Sequence, residues 1–146
     1  MNVFRTYVAS GALLATLSGC AEAKVDPATY APVMASNVLK PEFTHPRPGT
    51  AHVRLFRVAG ALGKGCDAVV QVSFHSLAEG RIADVAKIWD EERLDLYLDP
   101  GDYRLNIYTA LCSLPPTDVD VTLKAGDDVT YRLTTTGLNM WLSPQP

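Results

Sequence analysis

Few residues in this 146-residue chain have the types and spacing that chemistry needs. The histidines are His45, His52 and His75. His52 and His75 fall on the solvent parity of their segments, so neighbouring strands could unite them as half a metal site. No third ligand stands at a recognised spacing, and His-Glu-x-x-His is absent, so exposed, non-ligating histidines are expected. The acids gather at turns: Asp90-Glu91-Glu92, Asp99 and Asp102, Asp118 and Asp120, Asp127 and Asp128. Paired carboxylates can bind calcium or hydrolyse glycosides. None here follows a calcium-loop spacing, and Asp favours turns for local reasons. Gly-x-Ser-x-Gly, the phosphate-binding loop and the dinucleotide fingerprint are all missing. The expectation is no catalytic residue, no metal and no cofactor.

The N-terminus offers a different chemistry. Met1–Arg5 carries one positive charge and no acid, Thr6–Leu17 is a short apolar stretch, and Leu17-Ser18-Gly19-Cys20 follows. About twelve apolar residues are too few to span a bilayer but suit a signal peptide. The last four residues resemble the lipobox of bacterial lipoproteins. That resemblance implies a signal peptide over 1–19, cleavage before Cys20 and acylation of the Cys20 thiol. With Ala21 rather than Asp after the cysteine, it also implies the outer membrane, facing the periplasm. Several acyl chains anchor stably because each buried CH₂ contributes about 0.8 kcal/mol.

Composition agrees with a short addressing segment plus one domain. The chain is 47% hydrophobic and 20% charged, and its net charge of −3 argues against nucleic acid as a partner. Residues 20–48 are expected to form the lipid anchor and an extended tether, since five of the ten prolines fall there. Fully extended, such a tether reaches about 85 Å. The alternative is that Asn37–Phe43 packs on the domain as an edge strand.

Residues 49–146 read as strands. Val70, Val72 and Phe74 alternate with Gln71, Ser73 and His75. Leu94, Leu96 and Leu98 alternate with Asp95 and Tyr97. Tyr103, Leu105 and Ile107 follow the turn Asp99–Asp102, and Val129, Tyr131 and Leu133 follow the turn Ala125–Asp128. Ala51, Val53 and Leu55 change phase at Phe56, which predicts a bulge there. Arg81–Val85 is expected as a short strand before a loop, with a helical turn over Ala86–Glu92 as the alternative. Gly137–Leu142 is expected to add the last strand. About seven strands in roughly one hundred residues predict an all-β fold, a small antiparallel β-sandwich of immunoglobulin or transthyretin type.

Leu96-x-Leu98-x-Pro100-Gly101-x-Tyr103-x-Leu105-x-Ile107, then Val121-x-Leu123-x-Ala125-Gly126 and Tyr131-Arg132-Leu133, resembles the PEGA-type and related uncharacterised lipoprotein domains. The resemblance covers residues 50–136 and implies a periplasmic or surface β-sandwich. This chain departs from it over Val72–Gly80, where the turn is longer. The motif records turn chemistry and assigns no activity.

In an exporting, oxidising compartment, Cys66 and Cys112 are expected to form a disulfide, the alternative being two buried free thiols. Tyr97 and Tyr108 take the outward parity of their strands, with Trp141 in the tail, and exposed aromatics on a sheet can form a binding surface. The sequence thus predicts a lipoprotein held in membrane lipid through Cys20. Its expected role is a non-enzymatic binding or structural module with an envelope protein partner. The alternative is a periplasmic immunity or inhibitor lipoprotein that neutralises a secreted toxin or hydrolase.

Overall fold

The computed structural model describes residues 25–60, 70–109, 114–136 and 139–145. Among them there is no α-helix, only three single 3₁₀ turns, at Pro27–Thr29, Ala35–Asn37 and Pro41–Phe43. The strands are β1 (Ala31–Pro32), β2 (Ala51–Arg57), β3 (Val70–Ser76), β4 (Arg81–Ile88), β5 (Glu92–Leu98), β6 (Gly101–Thr109), β7 (Thr117–Leu123), β8 (Asp128–Thr135) and β9 (Met140–Gln145). The fold is all-β. No helix among the described residues is long and apolar enough to cross a membrane.

The strands form two sheets, a five-stranded one ordered β1-β5-β2-β8-β9 and a four-stranded one ordered β4-β3-β6-β7. Alternation is plainest in β5, where Leu94, Leu96 and Leu98 are buried, while Arg93, Asp95 and Tyr97 are partly exposed. Val53, Leu55, Leu96 and Leu133 of one sheet share a single core with Val85, Ile88, Leu105 and Ile107 of the other. Pairing is antiparallel except for β1 with β5 and β2 with β8. The chain leaves β2 for the other sheet, returns as β5 antiparallel to it, and after a second excursion returns as β8 parallel to it, a pairing that only a crossover connection allows.

Four expectations need correction. The strand beginning at Arg81 does not end at Val85 but runs to Ile88, without a helical turn. Its pairing with β3 shifts register between Val72 and Ser73, so Val85 is an extra residue and Val85, Ala86 and Ile88 are all buried. A bulge changes the inward phase mid-strand, and that broken alternation imitates a helical period. Conversely, β2 pairs through Leu55 and Phe56 without any register shift. Phe56 is buried because it points to the outer face of the sheet, where Tyr30 covers it with ring centroids 5.2 Å apart. The final strand, Met140–Gln145, runs past the expected end at Leu142, Gly137 and Leu138 lying outside the described residues, and it tolerates Pro144 because it is an edge. Nine strands replace the expected seven among the described residues.

The expected tether takes the alternative of packing on the domain. From Val25 the chain is not free-standing but lies along the domain as a strap. β1 pairs with β5, the Val33 N–H donates to the Arg93 carbonyl at 2.9 Å, and the Leu39 N–H donates to the Val85 carbonyl at 2.8 Å. Val33 enters the core, with Val38 and Phe43 packed against it. The strap therefore crosses from the edge of one sheet to the edge of the other. It hydrogen-bonds edge groups that would otherwise be unpaired.

Candidate functional site

The strap leaves a cleft of about 360 Å³ at this edge, lined by Pro32, Val33, Val38 and Pro41 and by the polar Thr44, His45, Arg93 and Asp95. Its position follows from local rules. Pro32 and Pro41 hold the strap extended or tightly turned, so it spans the gap without filling it. His45 sits at the cleft with Nδ1 2.8 Å from the Pro41 carbonyl oxygen, one turn away. Mostly apolar walls with a few convergent polar groups are the usual make-up of a binding site.

Asp95 links the cleft to a charged cluster on the outer face of the five-stranded sheet. Its carboxylate accepts from Arg54 Nε and Arg93 Nε, each at 2.9 Å, and lies 2.8 Å from His52 Nε2. Arg54 and Asp95 are cross-strand partners, as are His52 and Tyr97. Burial alone would raise the Asp95 pKa, but hydrogen bonds from Arg54 and His52 and the charges of Arg54 and Arg93 outweigh it, leaving the carboxyl below its ordinary range. The other His52 nitrogen, Nδ1, lies 3.2 Å from the Asp128 carboxylate. Arg93 also reaches back to the Pro27 and Ala28 carbonyls, tying the cluster to the strap.

The four-stranded sheet has its own polar outer face. Arg104 pairs with Asp120 through two hydrogen bonds of 2.7 and 2.9 Å, with Asp118 at 3.6 Å. The hydrogen bond from Arg104 lowers the Asp120 pKa. Asp84 and Asp102 add further exposed acid.

The expected aromatic surface is divided. Tyr97 stacks on His52, centroids 4.8 Å apart and planes 10° from parallel. Trp141 is exposed on β9, at the far edge of the same sheet. Tyr108 belongs to the other sheet, where its hydroxyl donates to Asp84 at 3.1 Å, and burial, followed by that carboxylate, raises its pKa. The two sheets turn their outer faces in opposite directions, so the three aromatics form no single platform. For the same reason His52, in β2, and His75, in β3, do not meet, and no group of three metal-ligating side chains occurs among the described residues.

Cys20, Cys66 and Cys112 lie outside the described residues. The strand order on which the disulfide expectation rests is present: β3 and β6 are antiparallel neighbours with Val70 opposite Thr109. Sequence reasoning missed the Asp95 cluster. Its signal was two outward-parity runs, His52-x-Arg54 and Arg93-x-Asp95-x-Tyr97, whose charges are complementary once paired.

An all-β, two-sheet domain with a strapped edge cleft is the class that these features define. No family model matches the chain. No curated protein matches it either. A solved structure titled as the crystal structure of (S)-allantoin synthase is similar over 67% of this chain and 44% of that one, with 11% identity and a TM-score of 0.48. This chain thus spans less than half of that protein's length, and so distant a likeness carries no argument about activity.

Proposed function

We propose that this protein is a lipoprotein of the cell envelope, held by an acylated Cys20 in the outer membrane and facing the periplasm. Its domain, read as a small β-sandwich of immunoglobulin or transthyretin type, acts as a non-enzymatic binding or structural module. The observation that carries the reading is the cleft between strap and β5, a concave and largely apolar site built by the segment that follows the lipobox-like motif. The nearby ionisable groups support binding over catalysis. Asp95 accepts from two arginines and meets His52, while both His52 nitrogens face carboxylates, so these groups are engaged with one another.

Photo-crosslinking in intact envelopes tests this. A crosslinking residue at Ala35 or Thr44 should capture a discrete envelope protein, whereas one at Thr122, on the outer face of the other sheet, should not. Equal capture from all three positions, or none at the cleft, overturns the reading. A second reading, an immunity or inhibitor lipoprotein, is favoured by the acids Asp84, Asp102, Asp118 and Asp120 exposed around the four-stranded sheet. It predicts the reverse pattern, with a basic toxin or hydrolase captured at Thr122.

A further inference from the structure

Both tryptophans of the chain are solvent-exposed, Trp89 by 37% and Trp141 by 43%. They lie at one end of the domain. Trp89 follows β4 in the turn to β5, where the Glu91 N–H donates to the Arg57 carbonyl at the end of β2. Trp141, the second residue of β9, stands opposite Thr134, one residue beyond the level of Arg57, which pairs with Leu133. The described chain also enters here: Val25 lines a depression with Thr29, Tyr30, Ala31 and Glu91. The opposite end of the domain carries the turn from β3 to β4, with Leu77, and the turns from β5 to β6 and from β7 to β8.

We propose that the tryptophan end sits in the headgroup layer of the membrane that holds the Cys20 acyl chains, giving the domain a fixed orientation. The inference rests on the lipid-anchor reading above and adds to it which face meets lipid. Chain length argues for it. Only five residue steps separate Cys20 from Val25, at most about 18 Å of fully extended chain, so the end that receives the chain is held near the lipid surface. Side-chain chemistry selects the contact, because the tryptophan ring has an apolar body and an N–H donor and concentrates at membrane–water interfaces. The cleft, on the side of the domain, stays in water.

The test uses the full-length acylated protein in vesicles of phosphatidylethanolamine and phosphatidylglycerol, with Trp89→Phe and Trp141→Phe as single-tryptophan reporters. Each remaining tryptophan should be quenched by lipids brominated near the headgroup and should lose acrylamide quenching about twofold relative to detergent-free Cys20→Ala protein. A third reporter, Leu77→Trp in a background lacking both native tryptophans, marks the opposite end and should show neither effect. Vesicle flotation without brominated-lipid quenching at positions 89 and 141 overturns the orientation while leaving the anchor intact. Equal quenching at position 77 does the same. Failure of the protein to float with vesicles overturns the anchor and the orientation together.

Discussion

Arg54 on β2 and Asp95 on β5 stand directly opposite one another, and Arg54 Nε donates to the Asp95 carboxylate at 2.9 Å on a face that parity alone marks as ordinary solvent-exposed surface. The Asp95 side chain is only 26% exposed and also engages Arg93 and His52. Asp95→Ala leaves three basic groups facing one another without their acceptor. After allowance for solvent screening, the expected loss is about 1–2 kcal/mol in urea unfolding at neutral pH. An unchanged midpoint would mean that the cluster contributes nothing to stability.

The same carboxylate sets a pH dependence. Its folded pKa lies below the unfolded value, so the unfolded state binds the proton more readily. The stabilisation is present above the unfolded pKa of about 3.9 and disappears as pH falls through the lower folded value. Wild-type stability should therefore drop in acid more steeply than that of Asp95→Asn, which has no proton to take up there. Parallel curves from pH 6 to pH 2 would refute this.

Leu96, Leu105 and Leu133 are at most 1% exposed and meet in the shared core. Each Leu→Ala change should cost about 2–5 kcal/mol. Arg104→Ala, by contrast, removes a fully exposed ion pair and should leave the unfolding midpoint where it is. Comparable losses in the two groups would place the wrong face in the core.

Gly60 approaches β8 so closely that a Cβ there would collide with Thr135 Oγ1 and lie 2.5 Å from the Thr135 carbonyl oxygen. Gly60→Ala should destabilise by about 1–3 kcal/mol. Adding Thr135→Ala should not restore stability, since the backbone oxygen remains. Full rescue by that second change would show that the hydroxyl alone set the spacing.

The strap's hold on the outer face is measurable through Tyr30 and Phe56. A double-mutant cycle with Tyr30→Ala and Phe56→Ala should return a coupling of about 1 kcal/mol, reflecting their tilted ring contact. Zero coupling would mean that the strap covers Phe56 without stabilising it.

The strands from Leu94 to Leu133 were readable in the sequence because their determinants are local. Apolar residues at every second position set a buried face, and Pro100-Gly101 and Ala125-Gly126 supply turns, the latter with Gly126 at φ 80°. Period-two alternation states which face is buried but not which strand lies alongside. The neighbouring of β2 with β5, and with it the meeting of Arg54 and Asp95, is decided by two sheets closing on one core. The same holds for the strap. Its prolines and broken periodicity look like a free tether, and only the unpaired edges of β5 and β4 give its N–H groups their partners. Phe56 shows the point at a single residue: the sequence marks it as apolar, and the contact with Tyr30, 26 residues earlier, decides that it is buried on the outer face rather than turned inward by a bulge.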